Sequence, residues 1–179
     1  MFDELVEYVR ENYSRASKIV ELGVGSRIDV AERIKKHLPL AEVLVTDNDE
    51  ASVRQHVTSP VRAVADDVTS PQTSIYQSAS LVYSIYPPFE IVRPMVELAG
   101  RIGADLLVVP RSDEQEMFHH ADWQKLARNG RTVGWLRIFR RETLTKRIES
   151  ALLKRVAGFP VLCREDELLS DFLEGGLAS

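Results

Sequence analysis

The chain has 179 residues and a formal net charge of −4, from 23 basic and 27 acidic residues, and 44% of its residues are hydrophobic. This length and composition predict one globular domain with a real core, and the acidic balance argues against broad electrostatic capture of nucleic acid. The single cysteine, Cys163, excludes an internal disulfide; with no membrane-length apolar run and no secretory signal, a cytoplasmic protein is expected.

The first part of the chain alternates helical and strand patterns. Helices are predicted where apolar residues recur every three to four positions, and strands where short apolar runs end in polar residues. In chain order, these segments are a helix at 2–12, a strand at 18–23, a helix at 29–38 that stops at Pro39, a strand at 41–47, a short helix near 50–56 and a strand at 61–67.

The second part continues this alternation and then changes. A polar stretch at 71–80 predicts a loop or short helix. The predicted elements that follow are a strand at 81–86 stopped by Pro87-Pro88, a helix at 89–100, an apolar strand at 104–109, a helix at 112–128, a turn at Asn129-Gly130, an antiparallel edge strand at 132–140 and a basic amphipathic helix at 143–157.

Alternating strands and helices predict parallel strands joined by right-handed crossovers. The expected fold is α/β, a three-layer Rossmann-like, doubly wound and mostly parallel sheet of about six strands. We expect this domain to span residues 1–142. Residues 143–179 would form a helical extension that packs on the same domain or on a partner.

The first strand leads into a glycine turn. The run from Lys18 to Arg27 is a buried strand, Gly23 and Gly25 two positions apart, and then a helix start. Glycines let the backbone approach a ligand closely, and the following helix presents its N–H groups to that ligand. Dinucleotide-binding loops carry a further glycine at the position of Ile28, so the loop predicts a nucleotide-type site without choosing its ligand.

Carboxylates end three successive predicted strands: Glu21 the first, Asp47 the second, and Asp66 and Asp67 the third. Because ligands bind at the carboxyl edge of an open parallel sheet, we expect these groups at one site. Asp47 could accept hydrogen bonds from both ribose hydroxyls, and Asp66 or Asp67 could accept one from the adenine amine. Glu21 could face an ammonium group. Glu21 could instead cap the next helix or pair with Arg27. So many carboxylates favour the cationic S-adenosylmethionine over the pyrophosphate of NAD(P) or a flavin dinucleotide.

The runs Ile19–Gly25, Val45–Asp47 and Asp66-Asp67 together resemble the donor-binding motifs of class I S-adenosylmethionine-dependent methyltransferases. The run Tyr83–Glu90, followed by Gly103–Leu106, is similar to a small, mostly archaeal family of uncharacterised proteins with a methyltransferase-like Rossmann fold. This resemblance covers about residues 1–142 and implies that fold and that methyl donor.

The methyltransferase motifs usually have glycine where this chain has Arg27. The planar guanidinium could grip the donor's carboxylate or a phosphate, or it could fill the pocket and abolish binding. The donor contacts implied are therefore Glu21, Gly23, Gly25, Asp47 and Asp66 or Asp67, with Arg27 as a further candidate.

The segment Tyr86-Pro87-Pro88-Phe89 stands where amino-methylating enzymes carry an Asn/Asp-Pro-Pro-aromatic motif. A phenol is bulkier than an amide and accepts differently, so Tyr86 does not reproduce that chemistry. Ser84, Tyr86 and Phe89 are the acceptor-side candidates, while the catalytic residue stays unassigned. Methyl transfer can proceed by in-line positioning without a strong base.

The preferred function is an S-adenosylmethionine-dependent methyltransferase of unknown acceptor. The alternatives are a dinucleotide-binding oxidoreductase and a degenerate, non-catalytic Rossmann domain used in binding or assembly. The expected partner is a small nucleotide-type ligand; a homodimer is a further candidate, and RNA is a candidate that the sequence does not favour. No metal site is expected, because the adjacent His119 and His120 would diverge on a helix and His37 and His56 read as helix-surface residues.

Overall fold

The computed structural model describes residues 2–139. Its strands are β1 Lys18–Leu22, β2 Glu42–Asp47, β3 Arg62–Ala65, β4 Ala79–Ile85, β5 Asp105–Val109, β6 Gln124–Arg128 and β7 Arg131–Arg137. Its helices are α1 Asp3–Asn12, α2 Asp29–His37, α3 Glu50–Arg54, α4 Thr73–Tyr76 and α5 Phe89–Ile102, and a 3-10 helix spans Gln115–Phe118.

These strands form a single sheet in the order β3-β2-β1-β4-β5-β7-β6. The pairs from β3 through β5 are parallel, and β7 pairs antiparallel with both β5 and β6. The chain therefore builds outward from β1 in one direction and then returns to build outward from β4 in the other. The predicted α/β, doubly wound and mostly parallel architecture is confirmed, and the strand order reverses between β1 and β4, where such folds bind ligands.

Alternate residues of the strands supply two separate cores, one on each face of the sheet. Ile19 and Tyr83 belong to the core that also contains the apolar faces of α1 and α2. Val20 and Val82 belong to the other core, which contains Met95 and Leu98 of α5. The period-two alternation of β-strand side chains produces this division and gives three layers.

The segment after Pro110 differs from its predicted structure. The spacing of Met117, Trp123 and Leu126 imitates a helix, but residues 112–128 form a 3-10 turn and then β6. Asn129 and Gly130, with φ of 50° and 73°, make the tight turn that the sequence predicts, and this turn pairs β6 with β7.

The pairing with β6 changes the position of the last predicted strand. Among residues 2–139, β6 is the outermost strand, so β7 lies inside the sheet and not at its edge, and the sheet has seven strands where about six are predicted. Gly134 of β7 sits tightly against β5: a Cβ there would lie 2.7 Å from the carbonyl oxygen of Val108.

The predicted helix at 143–157, the extension 143–179 with Cys163, and the end of the predicted 1–142 domain lie outside the described residues. Within residues 2–139, no helix has both the length and the apolar character needed to cross a membrane.

Candidate functional site

A cavity of about 300 Å³ opens at the carboxyl ends of β1, β2, β3 and β4. The sheet geometry alone brings these ends together, because parallel strands finish at the same edge. Its lining includes Gly23, Asp47, Asp66, Asp67, Val68 and Ile91. Four of the predicted site residues therefore share one cavity.

The glycine loop after β1 needs glycine for its backbone conformation. Gly23 and Gly25 have φ of 65° and 56°, in the left-handed region that side chains disfavour. The N–H of Gly23 donates to the carbonyl of Thr46 at 2.8 Å, which joins the loop to the end of β2. Apart from its two chain neighbours, no described residue has an atom within 4 Å of a Cβ built at Gly25, so the positive φ, and not crowding, sets this requirement.

Two side chains hold the loop at Gly25. The Asp47 carboxylate accepts from the N–H of Gly25 at 2.8 Å and, through its other oxygen, from the N–H of Asp49 at 2.9 Å. His56, which is 8% exposed, lies with Nε2 3.2 Å from the Gly25 carbonyl oxygen. Since a carbonyl can only accept, Nε2 carries the hydrogen.

The sequence prediction of His56 as a helix-surface residue is wrong. His56 follows the end of α3 at Arg54, and the turn there directs its ring inward toward the glycine loop. Local periodicity carries no signal for this contact, because its partner Gly25 is 31 residues away.

The two carboxylates after β3 also have protein partners. Asp66 accepts from the Tyr76 hydroxyl at 2.6 Å and from the N–H of Gln72 at 3.1 Å. Asp67 accepts at 2.8 Å from both the N–H and the hydroxyl of Thr69, and these bonds hold its pKa below the usual range. Both side chains border the cavity.

Glu21 is 4% exposed and lies deeper than a surface carboxylate. It accepts from the Tyr83 hydroxyl of β4 at 2.7 Å. Burial raises its pKa to about 8, against the lowering effect of that hydrogen bond. Glu21 neither caps α2, whose N-terminus has no side-chain cap, nor makes an ion pair with Arg27.

A second cavity of about 140 Å³ has a lining that includes Glu21, Gly23, Arg27, Asp29 and Tyr86. The Arg27 guanidinium donates to the Asp29 carboxylate at 3.1 Å, with its side chain 51% exposed. In this arrangement Arg27 stands at the wall of an open cavity and does not line the larger one of about 300 Å³.

The three acceptor-side candidates have different surroundings. Ser84 is completely buried and donates to the Leu22 carbonyl at 2.7 Å, so it ties β4 to β1 and does not reach a cavity. Tyr86 is 40% exposed, has φ of 55° and packs edge-on against Phe2 with ring centroids 5.7 Å apart. Phe89 is 46% exposed at the start of α5.

Tyr86 also borders a third cavity, of about 370 Å³, between the start of α1, the end of β5 and the start of β7. Gly23 is common to the first and second cavities, and Tyr86 to the second and third. The three cavities therefore follow one another along the carboxyl edge of the sheet. The loop at 110–115 and β7, which contribute to the third cavity, have no recognisable motif in the sequence.

Comparison with known proteins gives a family match and a fold match. The model of a family described as an uncharacterised protein family (UPF0146) matches residues 1–133. A UPF0146 protein of Archaeoglobus fulgidus is 37% identical over 107 residues, 60% of this chain and 76% of that protein. One of Methanothermobacter thermautotrophicus is 32% identical over 132 residues, 74% of this chain and 91% of that protein.

Among solved structures, the S-adenosylmethionine-dependent methyltransferase SibL in its apo form aligns with a TM-score of 0.53 at 14% identity, over 75% of this chain and 53% of that one. An O-methyltransferase family protein from Burkholderia thailandensis aligns with a TM-score of 0.52 at 14% identity, over 76% of this chain and 55% of that one. At this identity the likeness shows a shared Rossmann-like fold, and this chain spans about half the length of both structures.

Proposed function

We propose that this chain, which belongs to the uncharacterised protein family UPF0146, binds S-adenosylmethionine at the carboxyl edge of its sheet and transfers the methyl group to an acceptor. The observation that carries the proposal is the composition of the cavity of about 300 Å³. Its described lining has three carboxylates, Asp47, Asp66 and Asp67, and no Lys, Arg or His. A pyrophosphate would meet only like charge there, whereas an adenosyl group next to a sulfonium would not.

The nucleoside contacts follow from the hydrogen-bonding capacity that the loop leaves free. Each oxygen of Asp47 accepts one backbone N–H, and each has a second lone pair for a ribose hydroxyl. Asp66 or Asp67 would accept from the adenine amine, and Val68 and Ile91, which line the same cavity, would supply apolar walls for the ring. The adenosine would therefore occupy the first cavity.

The rest of the donor would extend past Gly23 into the second cavity, toward Glu21 and Arg27. The methyl group would then point toward Tyr86, beyond which the third cavity offers about 370 Å³ for an acceptor. Catalysis would then come from orientation alone. The second cavity would hold the methyl group of the donor and the third cavity the acceptor, in line with each other, with Tyr86 at the boundary between them.

The test is binding to the purified protein, measured by calorimetry and thermal shift. S-adenosylmethionine and S-adenosylhomocysteine are expected to bind, and NAD and NADP are not. A ligand at 100 times its dissociation constant stabilises a fold by about 2.7 kcal/mol. Binding of NAD alone would replace this proposal with a dinucleotide-dependent function, and binding of none would leave a non-catalytic Rossmann domain.

A matched pair of variants locates the site. Asp47→Ala should weaken binding of S-adenosylhomocysteine by about 1–3 kcal/mol, because it removes charge-assisted hydrogen bonds. Asp49→Ala, two residues away, removes the cap of α3 but no lining residue of the cavity, and should leave the affinity close to that of the parent protein. Equal affinities in the two variants would place the ligand elsewhere.

A further inference from the structure

The lining of the third cavity carries charge of both signs. Among the described residues around it, Asp3 and Glu4 in the first turn of α1 are acids, and Arg131 at the start of β7 is a base. Asp3 already accepts a hydrogen bond from Arg33 of α2. The charge that a ligand would meet is therefore that of Glu4 and Arg131, one negative and one positive.

Glu4 and Arg131 form a weak ion pair with each other. Nη1 of Arg131 lies 3.5 Å from Oε1 of Glu4, and the Arg131 side chain is 80% exposed, against 23% for Glu4. An exposed pair of this length contributes little to stability, because water competes for both partners. Separating the two side chains to admit a ligand would therefore cost the fold little.

A neighbouring ion pair shows what a closed contact looks like in this part of the molecule. Arg128, which stands opposite Arg131 in the β6–β7 pairing, donates through both terminal nitrogens to Glu11 of α1, at 2.6 and 2.9 Å. Neither Arg128 nor Glu11 lines any of the three cavities. Both pairs join α1 to the hairpin, but of the two it is the pair at the cavity that is long and single, as a pair opened by a ligand should be.

The rest of the third cavity restricts the body of the ligand. Its volume of about 370 Å³ equals about a dozen water volumes at about 30 Å³ each, so it holds a molecule of about a dozen non-hydrogen atoms. Phe2 and Tyr86 line it with two aromatic rings, against which a ring of the ligand can pack. Ser112 and Thr132 supply hydroxyl groups to the same lining.

We infer that the third cavity binds a free amino acid whose aromatic side chain has a nucleophilic atom, as the phenol of tyrosine and the imidazole of histidine do. Its ammonium group donates to Glu4 in place of Arg131, and its carboxylate accepts from the Arg131 guanidinium. A ligand with one charge would leave either Glu4 or Arg131 without a partner, which is why a zwitterion fits best. The inference rests on the proposed function, in which this amino acid is the methyl acceptor.

The side-chain ring of the amino acid then lies against Tyr86, where the methyl group would arrive from the second cavity. A lone pair on the ring's nitrogen or on the phenol oxygen forms the new bond to the methyl carbon. The bond between that carbon and sulfur breaks with its electrons left on sulfur, and the proton that the acceptor atom loses passes to solvent.

Calorimetry on the protein saturated with S-adenosylhomocysteine tests the charge requirement. L-Tyrosine and L-histidine are each compared with the amine that lacks the carboxylate, tyramine or histamine, and with the acid that lacks the amine, desaminotyrosine or imidazolepropionate. At least one of the two amino acids is expected to bind, and to bind at least about tenfold more tightly than either of its analogues. With S-adenosylmethionine in place of the homocysteine compound, mass spectrometry should show that this amino acid gains one methyl group.

Variants of the two ion pairs locate the contacts. Arg131→Gln should remove the preference for the amino acid over its amine, and Glu4→Gln the preference over its deaminated acid. Arg128→Gln and Glu11→Gln open the neighbouring pair without changing the lining of the cavity, so these matched controls should keep both preferences. All four variants should bind S-adenosylhomocysteine as the parent protein does, which also shows that they fold.

The outcomes separate the two proposals. If the parent protein binds S-adenosylhomocysteine but neither amino acid, the inference is overturned and the proposed function stands. An analogue that binds as tightly as its amino acid, binding without methyl transfer, or preferences that survive in both Arg131→Gln and Glu4→Gln also overturn it. Failure of S-adenosylhomocysteine to bind removes the proposed function and, with it, the inference.

Discussion

Replacing Glu21 with glutamine is expected to stabilise the ligand-free protein at neutral pH. Glu21 has an ordinary pKa of 4.5 when unfolded and about 8 when folded, chiefly because burial disfavours the charged form. The stability it gives is full below pH 4.5 and falls as the pH rises through 8. At pH 7, which is about 2.5 units above the unfolded pKa, the protein has lost about 3 kcal/mol of unfolding free energy, at 1.36 kcal/mol per unit. Glutamine has no charge to bury, and its carbonyl can still accept from Tyr83.

The assay is urea unfolding of both proteins between pH 4.5 and pH 9. The difference in unfolding free energy should be small at pH 4.5, grow with pH, and level off above about pH 8 near 5 kcal/mol. Glu116→Gln, at an exposed position in the 3-10 helix, is the control and should stay within about 0.5 kcal/mol throughout. A Glu21→Gln difference that does not vary with pH would refute the argument that Glu21 is protonated in the fold.

Three further substitutions test the packing of β7 and the support of the glycine loop. Gly134→Ala should cost about 1–3 kcal/mol in urea unfolding, because its Cβ would lie 2.7 Å from the backbone oxygen of Val108; a neutral result would show that the strands can separate freely. His56→Phe should keep the buried ring but lose the bond to Gly25, and we expect about a tenfold loss of S-adenosylhomocysteine affinity by calorimetry. Asp47→Asn turns one acceptor into a donor and should lower both that affinity and the unfolding free energy, each by about 1–3 kcal/mol; a change in only one would contradict a shared role in loop and ligand.

The sequence alone is sufficient to predict the parallel part of the sheet, because each element there is determined by neighbouring residues. The apolar run of β5, the stop at Pro39 and the glycine turn at Gly23 each depend on neighbouring residues alone. β6 is different: its only strongly apolar residue is Leu126, and an edge strand exposed on one face needs no more. Such a sparse pattern fits a helix as well as a strand, and only the pairing with β7 determines that this segment forms a strand.

The candidate site shows the same difference between features that local sequence determines and features that distant residues determine. The positions of Glu21 and Asp47 at strand ends follow from sheet topology and are predictable from the sequence. Their hydrogen-bond partners are not, because Tyr83 lies 62 residues beyond Glu21, and Gly25 lies 22 residues before Asp47. Long-range partners decide whether a carboxylate is charged, and local sequence patterns contain no information about them.

The loop at Gly25 is held by both of its backbone polar atoms, the N–H by the end of β2 and the carbonyl by a residue beyond α3. Its conformational entropy is therefore lost when the protein folds and not when a ligand arrives. A preorganised loop of this kind lets association proceed without a slow ordering step. Differences in affinity among ligands of this protein should then arise mainly from their dissociation rates.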